Sequence, residues 1–414
     1  MKNRILSRSL SGRRDSRLAR IIVLTGARQV GKTTLAKRLF PDYAYLAIDD
    51  PAFRLNLPKL TAAQWNTLYP KAVLDEVQKQ PLLIDSVKAA VDLFPDTRFL
   101  LTGSSQFLLL EKVRESLAGR CVIEEVYPLT LPELRSTAFD DEAGLSWFAA
   151  FVLGETAENY PSFTLDPEYA RRQQAFDHYL RFGGYPALTD NLLTDVEREE
   201  WLISYVRTFL ERDIRDLASF RDLEPFAKLQ RYLANTTGAL ANYSSIAKET
   251  GVSVPTVQRY IRYMDISYQS VILPAWFANP LKKLVRAPKI HFLDGGVLRA
   301  VLRKQSGMTG GEFESAVVAE IFKQIKAFRL PLSCDHFRTA DGREVDLLLE
   351  AEDYFLAVEV KQSERVSRAD ARHLCDLQQF LGKPLKHAFV LSNDVETRSF
   401  GDGITAMHAA AFLA

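Results

Sequence analysis

Two rhythms of apolar and polar positions divide the chain. Up to about residue 126, short β-branched or apolar runs alternate with stretches of helical period. The pattern predicts strands over 21–24, 43–48, 71–74, 98–102 and 121–126, with a helix from Lys32 to Phe40 after the first. Strands alternating with helices imply an α/β domain with a parallel sheet and ligand chemistry at the carboxyl ends of its strands. From 171 to 235 the period is helical, over 171–182, 197–217 and 226–233, and Gly183-Gly184 with Pro186 breaks the first of these from the second. Two short helices follow at 244–250 and 253–264 around a Gly251-Val252 turn, then a strand over 268–276. The last stretch predicts a helix over 311–322 and strands over 334–338, 345–349, 354–360 and 388–391.

At 414 residues the chain holds two to four domains at about 100–200 residues each. The changes of rhythm suggest boundaries giving 1–135, 136–235, 236–300 and 301–414. A chain that is 47% hydrophobic and 25% charged has ample core material, and a net charge of +1 leaves any nucleic-acid surface to a local patch. Cys121, Cys334 and Cys375 lie far apart, with no CxxC. They make neither a disulfide framework nor a zinc site, which points to a reducing cytoplasm. No apolar run approaches the roughly 18 residues of a membrane span. Residues 1–20 are rich in Arg and Ser, as in an organellar transit peptide, but the first strand begins directly afterwards. A short leading helix with a solvated basic face is the preferred reading, and no secretory signal is visible.

The chemistry starts at Gly26-Ala27-Arg28-Gln29-Val30-Gly31-Lys32-Thr33-Thr34, which contains G-x-x-x-x-G-K-T between a strand and a helix. Gly26 and Gly31 let successive N–H groups turn inward around phosphate oxygens, and the helix points its positive end at the same anion. Lys32 supplies a point charge to the β- and γ-phosphates, while the Thr33 hydroxyl is placed to ligate Mg²⁺. The apolar run before Asp75-Glu76 reads as the metal-holding strand of the same site. Asp75 would hold Mg²⁺ and Glu76 would position or polarise the attacking water, with ATP as the nucleotide. Thr102, Ser104 and Ser105 end the next strand as candidate γ-phosphate sensors, or as an ordinary strand-to-loop cluster. Arg120 is either a charge-stabilising finger or a surface residue.

GARQVGKTTL, VLDEVQ, LLTGSS and LAGR, in this order, resemble the AAA-type ATPase domain of a large bacterial and archaeal family with a C-terminal domain of unknown function. The resemblance runs on through YLRFGGYP, FLERDI, KIHFLDGG and EVK, so it covers nearly the whole chain. It implies an AAA-type P-loop sheet under a helical lid. In it Arg212 reaches a phosphate of the same or a neighbouring subunit in a homo-oligomer; the alternative is an ion pair with Asp213 or Asp216. Two features depart from the family. The sensor strand reads Gly-Ser-Ser, without an amide-type sensor, and residues 136–170 look like an acidic, aromatic insertion.

The segment around 240–276 reads as a winged helix-turn-helix. Ser253 caps the second helix and Pro255 sits in its first turn. Ile246, Ala247, Val252, Val257 and Ile261 bury one face, leaving Thr256, Gln258, Arg259 and Arg262 to a DNA major groove. Such modules also serve in dimerisation and packing. In the last domain, Asp346 followed by Glu359-Val-Lys361 is the pattern of restriction-endonuclease-like nucleases. Asp346 and Glu359 on adjacent strands could share a divalent metal. Lys361, on the same strand face as Glu359, could position or deprotonate a metal-bound water, and Glu314 could add a carboxylate. The alternative is an α/β core with charged strand ends, or a nuclease fold without activity. The segment 361–381, with Arg365, Arg368 and Arg372, either carries a phosphate backbone or is a solvated face. Two functions follow. One is an ATP-driven DNA-processing enzyme with a metal-dependent nuclease. The other is a nucleotide-switched DNA-binding regulator or interaction protein whose last domain docks.

Overall fold

In the computed structural model, strand β1 (Ile21–Gly26) is buried at every position and occupies the interior of a five-stranded sheet. Its neighbours are β2 (Ala44–Ala47), β3 (Lys71–Asp75), β4 (Arg98–Thr102) and β5 (Cys121–Val126), in the order β2-β3-β4-β1-β5 and all parallel. The structure describes residues 2–14, 16, 19–103, 117, 119–138, 141–156, 160, 163, 166–215, 222–278, 287–305, 307–339 and 341–414, without the side chains of 212 and 213. Ser104, Ser105 and Asp216 therefore lie outside the described residues, as do the side chains of Arg212 and Asp213. Near-continuous apolar strands are what a parallel sheet covered on both faces requires. Helix Leu82–Leu93 buries Leu83, Ile84, Val87, Ala90 and Val91 against one face. Helix Lys32–Leu39 covers the other through Leu35 and Ala36.

The leading helix, Leu6–Arg13, is less solvated than its composition suggests. Arg4, just before it, is buried beside Glu133 at 3.4 Å, Arg13 pairs with Glu124 at 3.1 Å, and Arg14 pairs with Asp42. Arg4, Arg13 and Arg14 thus fasten the segment to Glu133, to Glu124 of β5 and to Asp42, while Arg8 stays exposed.

Helices Tyr169–Phe182 and Asp195–Thr208 follow, and the second passes into a π-helical turn, Phe209–Ile214. Next come helices Glu224–Asn235, Tyr243–Thr250 and Val254–Ile266, then β6 (Ser270–Leu273) paired antiparallel with β7 (Lys289–Phe292). Leu240 also bridges to Lys289. The turn between the second and third helices works because Gly251 adopts φ +73° and Ser253 caps the third helix by accepting from the Thr256 N–H.

The remaining chain forms a six-stranded mixed sheet behind helix Gly310–Phe328. Its strands are β8 (Ser333–Arg338), β9 (Glu344–Glu350), β10 (Phe355–Val360), β11 (Leu385–Ser392), β12 (Arg398–Gly401) and β13 (Ile404–His408), in the order β12-β13-β11-β10-β9-β8. The basic segment 361–381 carries short 3₁₀ turns, Arg368–Ala371 and Leu377–Phe380, and its apolar residues Ala371, Leu374 and Leu377 are buried. The insertion belongs to this half. Its helix Trp147–Leu153 sets the Trp147 ring 5.7 Å from Phe389 and 5.5 Å from Phe412.

One buried cluster contains Leu24 of the parallel sheet, Phe176, Val257 of the third helix and Leu347 of β9. The regions separated in the sequence by changes of rhythm therefore share a core. Among the described residues no helix is long and apolar enough to cross a membrane.

Candidate functional site

β1 ends on Gly26, and helix Lys32–Leu39 begins after five intervening residues, so the loop has to wrap tightly. Gly26 has φ +147°, and a Cβ there would lie 2.1 Å from the Val126 carbonyl oxygen, while Gly31 has φ +92°. Both positions need glycine. Lys32 is buried and folds over the loop, donating to the Gly26 carbonyl at 2.9 Å and the Ala27 carbonyl at 2.7 Å.

Asp75, at the end of β3, faces the loop. It accepts from the Thr33 hydroxyl at 2.9 Å, from the Tyr45 hydroxyl at 2.5 Å and from Thr102. Thr33 and Asp75 thus present hard oxygen donors side by side, a set that suits Mg²⁺. Burial, and then the bond to Asp75, push the Tyr45 phenol well above its usual range, so it stays a donor. Glu76 follows in a left-handed conformation, φ +61°, and accepts from Gln78 Nε2 at 2.6 Å. A non-glycine residue there is strained, and such strain concentrates at functional sites. These groups border a cleft of about 600 Å³ that Arg28, Gln29 and Thr34 also line. Pro186 and Ala187 close its other side, so the sharp break after helix Tyr169–Phe182 reaches over the loop. The sequence marked Pro186 as part of a helix break, while Tyr45 was not singled out. Tyr45 lies beside Asp75 only because β2 pairs with β3.

The two arginines separate. Arg120 precedes β5, whose Cys121 pairs with Ile21 at the start of β1. It therefore sits at the amino edge of the sheet, roughly 17 Å along the strand from Gly26 by the usual rise per residue. It pairs there with Asp92 at 2.6 Å, away from its own chain's loop. Arg212 lies in the π-helical turn Phe209–Ile214. Phe209 of that turn, with Trp201 and Tyr205, lines a small cavity beside Arg28 and Gln29.

Between sheet and helix-turn-helix stands a short polar link. The Thr25 hydroxyl is 2.8 Å from the Tyr268 hydroxyl, which also donates to Glu125 at 3.2 Å. Thr25 immediately precedes Gly26 and its loop, and Tyr268 lies two residues beyond helix Val254–Ile266. On that helix Gln258, Arg259 and Arg262 are exposed and Thr256 is half-buried, whereas Val257, Tyr260, Ile261 and Met264 face inward.

Asp346, Glu314 and Glu359 come together as their spacing suggests, and the structure adds two residues that sequence reasoning missed. Glu344 lies two positions before Asp346 on the same strand face. Lys289 of β7 enters the cluster from the helix-turn-helix side. Its ammonium is 2.7 Å from Glu344 Oε1, 3.0 Å from Glu314 Oε1 and 3.1 Å from Asp346 Oδ1, with the side chain 2% exposed. A lysine inside the otherwise apolar strand Lys-Ile-His-Phe was the available signal. Asp346 Oδ2 accepts from the Val360 N–H at 2.9 Å, and Lys361 pairs with Glu359 at 2.6 Å. Burial pulls the Lys289 ammonium down, but Asp346, Glu314 and Glu344 together outweigh it and hold it charged. Burial, then Asp346, push Glu314 up to about 8 and Glu359 up to about 7. Among the described residues no group of three or more His, Cys, Asp or Glu side chains is arranged to hold a metal ion. The expected metal position at Glu314, Asp346 and Glu359 thus holds a lysine in contact with two of the three.

These groups set a pH window. Burial lowers His178, His336, His387 and His408 to about 4. His408 Nδ1 must also stay unprotonated to accept the Ala410 N–H at 3.0 Å. A folded pKa below the unfolded one contributes stability above about 6.5 that is lost as pH falls toward 4. Glu314 and Glu359 have raised values, so their contribution is lost as pH rises through about 7 to 8. Thermal unfolding between pH 4.5 and 9 should give a midpoint that peaks near neutrality and falls on both sides, more steeply on the acid side. A flat profile from pH 4.5 to 6.5 would contradict the buried histidines.

The cleft lies in a region with known relatives. Residues 18–135 match a family model described as an AAA domain, while 173–307 and 309–412 match models described as domains of unknown function, DUF8612 and DUF4143. Residues 18–135 are thus similar to AAA domains. The chain is 28% identical over 402 residues to an uncharacterized protein of Mycobacterium tuberculosis, covering 92% of this chain and 80% of that one. It is 24% identical over 296 residues to an uncharacterized protein of Methanocaldococcus jannaschii, covering 67% and 61%. Among solved structures, a Walker-type ATPase of Pyrococcus abyssi is similar at TM-score 0.42 and 15% identity, over 71% of this chain and 94% of that one. The loop, Asp75 and Glu76 all lie within the region that matches the AAA domain model.

Proposed function

We propose that this protein is a Mg²⁺-dependent ATPase whose nucleotide state controls DNA binding by a winged helix-turn-helix. Lys32 and the loop N–H groups bind the β- and γ-phosphates, and Thr33 and Asp75 hold the metal. Bound there, Mg²⁺ neutralises developing charge on the phosphate oxygens. Glu76 orients the attacking water. Its bond to Gln78 keeps the carboxylate aimed while the strained backbone holds it at the strand end. Thr102 senses the γ-phosphate through Asp75, and Arg120, turned from its own loop, serves a neighbouring copy in a homo-oligomer. Helix Val254–Ile266 presents Thr256, Gln258, Arg259 and Arg262 to DNA, with β6 and β7 as the wing.

The hydrogen bond between Thr25 and Tyr268 carries this reading. It joins the residue before the phosphate loop to the segment that ends the DNA-facing helix, so a shift of the loop on nucleotide binding is felt at that helix. Fluorescence anisotropy with a labelled duplex tests both halves. Arg259→Ala with Arg262→Ala should weaken binding about tenfold or more and lower the salt slope by about two, roughly one per lost phosphate contact. Tyr268→Phe should remove most of the difference in DNA affinity between the ATP-analogue and ADP states while leaving the fold intact. Affinity that ignores the arginines, or a nucleotide difference that survives Tyr268→Phe, would sink the corresponding half.

The convergence of Asp346, Glu359 and Lys361 favours a second reading, metal-dependent DNA cleavage by a restriction-endonuclease-like domain. Cutting of plasmid or linear DNA in Mg²⁺ or Mn²⁺ that is lost in Asp346→Ala and Lys361→Ala would establish it. Lys289, set among the same carboxylates, argues for the first reading, in which the last domain docks.

A further inference from the structure

We propose that Lys289 is the built-in cation of the C-terminal carboxylate cluster. Its ammonium stands in for a divalent metal and locks β7, the strand paired with β6 beside the helix-turn-helix, onto the C-terminal sheet. The geometry carries this. An ammonium has three N–H donors, and Lys289 has a carboxylate oxygen for each: Glu344 at 2.7 Å, Glu314 at 3.0 Å and Asp346 at 3.1 Å. These three carboxylates come from two elements, β9 and helix Gly310–Phe328, which place them around one point. A divalent ion bound by Asp346 and Glu314 would need the same oxygens. The second Asp346 oxygen is committed to the Val360 N–H and one Glu359 oxygen to Lys361, so a metal would have to compete for oxygens already in use. Among the described residues, Glu359 Oε2 is the one carboxylate oxygen of this cluster that is buried without a hydrogen-bond partner, and the unpartnered His291 ring lies 4.0 Å from Glu314. One free oxygen falls well short of the set of oxygen ligands that a hard divalent ion takes.

Charge points the same way. Glu314, Glu344, Asp346 and Glu359 face Lys289, Lys361 and Arg338, whose guanidinium pairs with Glu344 at 3.0 Å. The cluster is close to balanced without any added ion, and a divalent cation placed beside the ammonium would meet its repulsion. Position explains why the lysine is there. β7 also forms the antiparallel pair with β6 and the bridge to Leu240, so the ammonium ties the helix-turn-helix to the C-terminal sheet at a buried point. Breaking such a buried ion pair by removing one partner leaves uncompensated charge.

Mn²⁺ titration of the nucleotide-free full-length protein, followed by electron paramagnetic resonance and calorimetry, tests the assignment. The wild type should show no Mn²⁺ site that depends on Asp346, so Asp346→Asn leaves its Mn²⁺ isotherm unchanged. Lys289→Gln should create one site that binds Mn²⁺ at least tenfold more tightly than anything at this cluster in the wild type. That gain should vanish in Lys289→Gln combined with Asp346→Asn. A wild-type Mn²⁺ site abolished by Asp346→Asn would overturn the proposal, as would a folded Lys289→Gln protein that gains no site. The Asp346→Asn comparison decides the question alone if Lys289→Gln does not fold. Neither result depends on ATP turnover or DNA binding, so it stands apart from the function proposed for the other domains.

Discussion

Lys32→Ala should abolish ATP turnover, with a loss of about 10²–10³-fold or more, the scale of removing one preorganised charge from a transition state. Two effects combine in that loss. The ammonium that meets the β- and γ-phosphates disappears, and the Gly26 and Ala27 carbonyls lose the donor that spans them at 2.9 and 2.7 Å. Lys32→Arg should fail as well, because a planar guanidinium does not replace a compact ammonium in a tight loop. Phosphate release is the measurement, with circular dichroism to show that the fold persists. Turnover unchanged in a folded Lys32→Ala protein would remove the ATPase assignment.

Lys323→Ala should destabilise the protein by about 3–5 kcal/mol, the range for breaking a buried ion pair at one end. Lys323 and Glu320 are both fully buried and 2.9 Å apart on helix Gly310–Phe328. The ammonium also donates to the Leu129 carbonyl at 2.9 Å and lies 4.4 Å from the centre of the Tyr179 ring. Glu320 accepts from the Leu131 N–H at 2.7 Å and from Gln324 at 2.8 Å. The pair therefore joins the end of the region 18–135, helix Tyr169–Phe182 and the last domain. Burial already raises the Glu320 carboxyl, and losing the ammonium raises it further. A raised folded value means stability falls as pH rises, so the loss should be larger at pH 8 than at pH 5. Lys323→Met with Glu320→Gln should recover much of it, since glutamine still accepts from Leu131. Urea unfolding followed by circular dichroism reads both variants against the wild type. A cost below about 1 kcal/mol for Lys323→Ala would show that the junction does not depend on the pair.

Several elements were legible because their physics is local. The phosphate loop needs two glycines, a lysine and a threonine at fixed spacing, and all are contiguous. The strand ending in Asp75 and the turn at Gly251 follow from period and conformation over a few residues. The helix expected over 197–217 was legible as helix but not as a change of type, because Phe209–Ile214 has ordinary helical composition and becomes π-helical in context. β12, β13 and the closing helix Ala409–Leu413 went unread, being short, and the strand pair β12 and β13 is defined by pairing rather than by pattern.

The sequence by itself determined which residues form the glycine-rich loop, which strands form the parallel sheet and which acids could meet. Tertiary structure alone decided what stands among those acids and how the nucleotide loop meets the other domains. Lys289 is 55 residues before Glu344 and 57 before Asp346, and Tyr268 is 243 residues after Thr25. Nothing in local periodicity couples positions so far apart. They meet because burying a shared core brings β7 against the C-terminal sheet and Tyr268 against β1. Once buried, a lone ammonium or hydroxyl must find its partner there.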